Sequence, residues 1–375
     1  MNIKDYVTLG RSGLRVSPLT LGTMTFGTEW GWGSEETTAR AIFDRYLEAG
    51  GNVLDTADGY TNGKSEELVG KFIHEGGLRD RVVLATKFTF NAEAGNPNAG
   101  GNGRKNIHRA LHGSLKRLKT DYIDLYWLHA WDTVTPAEEV VSTLNELVRE
   151  GKILHYGFSD TPAWYVARAQ TLVQLQGKEP LAALQLEYSL VERNIEREHI
   201  PVAQELGIAV CPWSPIAGGF LAGKYKREGN TTRGEGRLEV AKDHPVLGRV
   251  LALEQNWRIV DTVVDVAKKL GKTAAQVALN WVATQPGVTS TIIGATKLAQ
   301  LEDNFAAIEF TIPAELRRRL DEVSALPSAH PYLFFGGVLQ DMITGNTSIR
   351  AWKRAHATGA DSAGASAAAK GASGD

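Results

Sequence analysis

Cysteine is almost missing: Cys211 stands alone, so no internal disulfide can form and small disulfide-stapled secreted folds are excluded. Neither sign of charge is in surplus. Lys and Arg number 41 against 43 Asp and Glu, a formal net charge of −2, which gives no electrostatic footprint for a nucleic acid and no acidic tract. A small molecule is therefore the expected ligand. Nowhere do ~18 apolar residues run together, so no spanning helix is expected. The opening Met1-Asn-Ile-Lys-Asp-Tyr6 lacks the apolar core of a signal peptide, which favours a cytoplasmic protein. Also absent is a G-x-G-x-x-G turn after the first strand, and its lack argues against a doubly wound dinucleotide-binding sheet.

What the chain does have is repetition. With 375 residues, 43% of them hydrophobic, it can bury a large core. Tyr6 to Pro18 reads as a hairpin around Arg11-Ser12-Gly13, a plug or cover for the first long element. Eight apolar runs come next: Leu19–Phe26, Asn52–Ala57, Arg81–Phe88, Tyr122–His129, Ile153–Ser159, Leu181–Tyr188, Gly207–Trp213 and Ser290–Gly294. Helical patterns separate them, near Ser34-Glu35-Glu36, over Glu66–His74 and Asn106–Arg117, from Thr135-Pro136 and Thr161-Pro162, around Ile195–Leu206, and at Leu298–Ala306. Continuous apolar strands alternating with helices are what a buried parallel sheet demands. The (β/α)8 TIM barrel is the expected fold, with an N-terminal β-hairpin, a long loop after the seventh strand (Gly218–Trp257) and a C-terminal extension. The barrel should occupy residues 1–330, the extension 331–358, and an Ala/Ser/Gly-rich disordered tail 359–375.

In such a barrel the chemistry gathers at the C-terminal ends of different strands. Strand two ends in Asp55-Thr-Ala-Asp-Gly-Tyr60, strand three in Lys87, strand four in His129 and strand five in Ser159-Asp160. Strand six carries Gln185 and strand seven Trp213-Ser214. Each has an ordinary reading by itself: Asp55 as a helix cap, Tyr60 as a rim aromatic, Lys87 as a surface lysine, His129 as a core histidine. Together at one mouth they suit carbonyl reduction. A carbonyl that receives hydride becomes an alkoxide and needs a proton donor and a preorganised hydrogen bond. Tyr60 is the candidate acid. Lys87 beside it would favour the phenolate and bring its pKa down from ~10 toward neutrality. Asp55 would hold the ammonium, and His129 would donate to the substrate oxygen. Trp30, Trp32, Phe88 and Trp131 lie near the mouth and suggest an aromatic-lined substrate pocket.

The chain resembles the aldo-keto reductase superfamily from about Val7 to Ala325. The resemblance is carried by Asp55-Thr-Ala-Asp-Gly-Tyr60 with Gly63-Lys-Ser-Glu66 and Gly70, then Thr86-Lys87, then Leu128-His129. The long loop with Gly223-Lys224-Tyr225 is more like the bacterial aldehyde reductases and channel β-subunits than the short steroid-type enzymes. The resemblance implies an NADP(H)-dependent reductase of aldehydes or ketones, with NAD(H) not excluded, and a tetrad of Asp55, Tyr60, Lys87 and His129. It also implies cofactor segments at Gly157-Phe-Ser-Asp160, Leu184-Gln-Leu-Glu-Tyr188, Trp213-Ser-Pro-Ile216 and Gly294-Ala-Thr-Lys-Leu-Ala-Gln-Leu-Glu-Asp-Asn304. Ser159 and Gln185 would bind the carboxamide, Trp213 would stack on the nicotinamide, and backbone near Thr23 and Met24 would lie beneath the ribose. Ser214 and Lys224 would bind the pyrophosphate, and the start of the last barrel helix an adenosine phosphate.

Two positions depart from that pattern. Asp160 stands where asparagine is usual and, as a carboxylate, cannot donate to a carboxamide oxygen. Gln300 stands where many members carry arginine, leaving Thr296 and Lys297 for a 2′-phosphate. The same fold also serves a slow cofactor-sensing channel subunit. A Schiff-base aldolase using Lys87 is a further reading, which the neighbouring Asp55 opposes by stabilising the ammonium.

Overall fold

The computed structural model describes residues 1–228, 231–234, 238 and 249–349. The first two strands, β1 (Val7–Thr8) and β2 (Arg15–Val16), pair antiparallel as the expected hairpin. Eight parallel strands make the main sheet: β3 (Leu19–Gly22), β4 (Val53–Asp55), β5 (Val83–Phe88), β6 (Ile123–Leu128), β7 (Ile153–Ser159), β8 (Ala183–Gln185), β9 (Ala209–Val210) and β12 (Thr291–Ile293), in the order β12-β3-β4-β5-β6-β7-β8-β9. Between β9 and β12 a second hairpin pairs β10 (Tyr225–Glu228) with β11 (Thr231–Gly234) within the long loop.

The sheet closes on itself. Val210 bridges to Val288, Thr289 N donates to Val210 O at 2.8 Å, and Ile292 N donates to Pro212 O at 2.8 Å. The result is the expected (β/α)8 barrel.

Side-chain alternation along the strands divides the core in two. Val53, Val83, Ala85, Leu125, Trp127, Ala183, Ala209 and Cys211 form the barrel interior, and Leu9 and Val16 of the hairpin plug its N-terminal end. Gly10 (φ 58°) lets that plug seat: a Cβ there would lie 2.7 Å from Ala182 O. Leu54, Leu84, Phe88, Tyr126, Leu128 and Phe158 face outward into the layer beneath the helices. Cys211 is enclosed in the interior, where burial pushes its thiol up to about 12, so it is an inert packing residue.

Helices α1 (Glu36–Ala49), α2 (Lys64–Gly76), α3 (Arg104–Leu118), α4 (Ala137–Arg149) and α5 (Ala163–Leu175) follow their strands as the patterns predict. The sixth is shorter than expected: a 3-10 turn at Asn194–Glu196, then α6 (His199–Leu206). After the long loop come α7 (Arg249–Ala252), α8 (Glu254–Leu270) and α9 (Ala274–Ala283), then α10 (Leu298–Ala306) and α11 (Ala314–Val323). Thr273 starts α9 with a full capping box, its hydroxyl taking Gln276 N–H at 3.0 Å while Gln276 Oε1 takes Thr273 N–H at 3.1 Å.

The chain divides into two units, Met1–Leu326 and a second that begins at Pro327. The described part of the second holds a 3-10 turn at Tyr332–Phe335 and α12 (Gly337–Thr344). The tail expected at residues 359–375 lies outside the described residues. Among the described residues no helix is long and apolar enough to cross a membrane.

Candidate active site

Inward parity places the site. Continuing the interior faces of β4, β5, β6, β7, β8 and β9 upward by two-residue steps reaches Asp55, Lys87, His129, Ser159, Gln185 and Trp213. Register brings them level: Asp55 pairs with Ala85, Lys87 with Trp127, Ser159 with Gln185.

At the floor Lys87 is fully buried. Its Nζ donates to Asp55 Oδ1 at 2.5 Å, Thr56 O at 2.9 Å and Tyr60 Oη at 3.0 Å. Two of these partners, a carboxylate and a carbonyl, can only accept, so the three contacts match the three donors of an ammonium. Burial opposes that charge, but Asp55 and Tyr60 outweigh it and hold Lys87 above its ordinary value. Asp55 is pinned on its other side, where Oδ2 accepts from Gln185 Nε2 at 2.9 Å. That bond uses one of the amide N–H groups of Gln185, leaving its oxygen as the acceptor it can offer a ligand.

The phenol does not behave as the sequence suggests. Burial raises the Tyr60 pKa, Lys87 lowers it, and Asp55 raises it again, leaving it above its ordinary value. Burial is the largest influence, and with Asp55 on its side it outweighs the pull of Lys87, so Tyr60 keeps its proton throughout the neutral range. Its oxygen already accepts from Lys87, which turns its O–H to other acceptors.

Burial and then Lys87 hold His129 well below its ordinary value, so its imidazole is neutral. Nδ1 is buried without a partner, which leaves Nε2 as the nitrogen available to a bound oxygen. The ring stands edge-on to Tyr60 (centroids 5.8 Å apart) and to Phe90 (4.7 Å).

From this floor a cavity of about 1700 Å³ runs outward. Met24, Trp30, Trp32, Asp55, Tyr60, His129, Ser159, Asp160, Gln185, Trp213, Ser214, Ile216, Lys224, Gly294, Thr296, Lys297, Gln300 and Asn304 all line it. Backbone strain concentrates here: Thr61, Asn62, Thr89, Thr133, Asp160, Ser214 and Ala217, seven of the nine described non-glycine residues with positive φ, follow barrel strands on this side of the barrel.

Besides Lys87, which lies beneath the floor, three expected residues do not line the cavity. Phe88 is fully buried and packs its ring on Tyr126 at 4.9 Å, because the residue after inward Lys87 must point outward. Its place is taken by Phe90, two residues farther on in the loop after β5, which pattern reasoning misses. Trp131 packs against Trp164 and Tyr165 and lines a smaller depression with Thr161, Glu187 and His199. Thr23 is buried beneath the floor, its Oγ1 donating to Asp55 O at 3.1 Å. Asp58 and Asn62, also unforeseen, line the cavity beside Tyr60.

The groove suits a long, anionic, flat-ended molecule. At its inner end Trp213 lines the wall next to Asp160, whose Oδ1 accepts from the indole Nε1 at 3.2 Å. Farther out the Gly218-Gly219 turn (φ 63° and 90°) leaves a cradle for Lys224: a Cβ on Gly219 would lie 2.8 Å from Lys224 Cε. At the far end Gln300 Oε1 gathers Thr296 N–H at 2.8 Å and Lys297 N–H at 3.2 Å, fixing the first turn of α10 with Lys297 at the cavity wall. Among the described residues no cluster could hold a metal ion.

A barrel with this mouth is that of an oxidoreductase. Residues 18–325 match the model of the aldo/keto reductase family, and the chain belongs to that family. It is 38% identical over 329 residues to the uncharacterized oxidoreductase YrpG of Bacillus subtilis, covering 85% of this chain and 95% of that protein. It is 32% identical to the aryl-alcohol dehydrogenase [NADP(+)] of Phanerodontia chrysosporium, over 86% of each chain. A probable voltage-gated potassium channel subunit beta of Oryza sativa is 35% identical over 87% of this chain and 98% of its own.

Proposed function

We propose that this protein is an NADP(H)-dependent reductase of aldehydes and ketones, aromatic aldehydes foremost, working through Asp55, Tyr60, Lys87 and His129. The observation that carries the reading is the Lys87 ammonium donating at once to Asp55, Thr56 and Tyr60. The dinucleotide, when bound, supplies hydride to the carbonyl carbon. Tyr60 gives its proton to the carbonyl oxygen as negative charge develops there, and the phenolate left behind keeps its hydrogen bond from Lys87 until solvent returns a proton. His129, neutral, donates to the same oxygen and orients it.

Ser159, Gln185 and Trp213 would hold the nicotinamide end, Met24 and the backbone at Thr23 the ribose, and Ser214, Ile216 and Lys224 the pyrophosphate. Gly294, Thr296, Lys297, Gln300 and Asn304 would hold the adenosine phosphate. Trp30, Trp32 and Phe90 around Tyr60 and His129 supply flat apolar surface, which together with the aryl-alcohol dehydrogenase relative supports an aromatic substrate.

NADPH oxidation measured across aromatic aldehydes, aliphatic aldehydes, ketones and sugars tests this. The highest kcat/KM is expected for an aromatic aldehyde, and no turnover with any carbonyl would overturn the reading. The channel-subunit relative favours a second reading, a slow cofactor sensor with the same site. Tight NADPH binding combined with turnover far below that of ordinary reductases would select it. A Schiff-base aldolase is disfavoured, since Lys87 sits among acceptors that stabilise the ammonium over the neutral amine.

A further inference from the structure

We propose that Asp160 discriminates between the two redox forms of the nicotinamide under proton control: ionised, it favours the cationic oxidised ring, and protonated, it loses that preference. The inference rests on the reading that the nicotinamide lies against Trp213. Asp160 is joined to that indole by the 3.2 Å bond to Nε1, so a ring placed on Trp213 sits beside its carboxyl. The backbone is held in the left-handed region (φ 41°), unusual for a residue with a side chain, and anchored by Asp160 N–H to Gln185 O at 3.2 Å. The side chain opens into the cavity. A reduced nicotinamide is neutral and an oxidised one carries a positive charge, so a carboxylate here interacts differently with the two while an acid does not.

The surrounding groups poise it. Asp160 is exposed at the cavity mouth, yet the protein crowded around its carboxyl still displaces enough solvent to push it up to about 7; the Trp213 hydrogen bond opposes the rise, Glu187 adds to it, and Lys87 and a hydrogen bond from Ser159 oppose it. Glu192 and His199 face it across the smaller depression, and Asp55 and Tyr60 lie across the floor with Lys87. Lys87 and Tyr60 are held above their ordinary values and His129 well below its own, so none of the three changes charge near neutrality. Asp58, also pushed up to about 7, is a second carboxyl on the cavity wall that does.

Linkage fixes the sign. The oxidised cofactor stabilises the ionised aspartate, so raising pH must tighten NADP+ relative to NADPH.

The test is fluorescence titration of NADP+ and NADPH across about pH 5.5–8.5, in the parent, in Asp160→Asn and in Asp58→Asn. The 2′-phosphate is common to both forms and cancels in the ratio. The ratio Kd(NADP+)/Kd(NADPH) should fall about tenfold with rising pH in the parent, a usual size for coupled sites. It should fall equally in Asp58→Asn and stay flat in Asp160→Asn, whose amide oxygen can still accept from Trp213. A flat ratio in the parent, or a slope kept by Asp160→Asn, overturns the proposal. Failure of both cofactors to bind at any pH would overturn the nicotinamide reading itself.

Discussion

A tyrosine that holds its proton firmly is a useful acid only beside an oxygen that becomes more basic than itself, and hydride transfer creates that oxygen. Tyr60→Phe keeps the ring on His129 and Trp30 and removes only the proton donor. We expect kcat to fall by ~10²–10⁴ while NADPH affinity stays near parental; a near-parental kcat would remove Tyr60 from the role. Lys87→Met strips the phenolate of its partner and leaves Asp55 beside it, which raises the Tyr60 pKa further. Turnover should fall here too, and the pH–rate profile should lose its dependence on that pair. These residues are legible in the sequence because each ends an apolar run by a polar residue of one parity. Phe88 is misplaced when aromatic character is read without that parity. Trp131 is misplaced because nothing in the sequence announces that Trp164 and Tyr165 take it away from the mouth.

Elements are recovered where pattern and punctuation agree. Helix α10 has the predicted bounds Leu298–Ala306, and β7 the predicted Ile153–Ser159. The pair α8 and α9 escapes the pattern because the long Gly- and Lys-containing loop hides which residues resume the barrel, although Thr273 and Gln276 carry a capping-box signature. Element packing also gives a physical reason for the glycine at position 70. Gly70 lies where α2 meets the end of α3, and a Cβ there would sit 2.6 Å from Arg117 O and from Leu118 Cα. Backbone cannot yield as a side chain can, so Gly70→Ala should cost ~1–3 kcal/mol. Urea unfolding would read this as a lower midpoint at unchanged slope; an unchanged midpoint would mean the two helices separate without penalty.

For the whole molecule, buried acids set the response of stability to pH. Asp58 is pushed up to about 7 chiefly by burial and by Glu66, against Arg117 and Arg109, and its Oδ1 has no partner. A folded-state pKa raised above the unfolded value means that the unfolded chain loses its proton first as pH rises from about 4, so stability falls between about pH 4 and 7. Asp58→Asn removes the ionisation, so its melting temperature should gain on the parent at pH 8 more than at pH 4.5. An equal offset at both pH values would show that the acid is not held protonated by the fold.

The barrel's closure has a kinetic meaning. Among the described residues, one bridge at Val210–Val288 and two backbone hydrogen bonds, from Thr289 to Val210 and from Ile292 to Pro212, join the segment of the last strand to the end of the two-residue β9. The loops flanking this seam carry Trp213 and Gly294 on the cavity wall. Opening there should be the easiest breach of the ring, so amide hydrogens of Thr289 and Ile292 should exchange faster than those of β5 and β6. A dinucleotide spanning both loops would act as a clasp across the joint and slow them selectively.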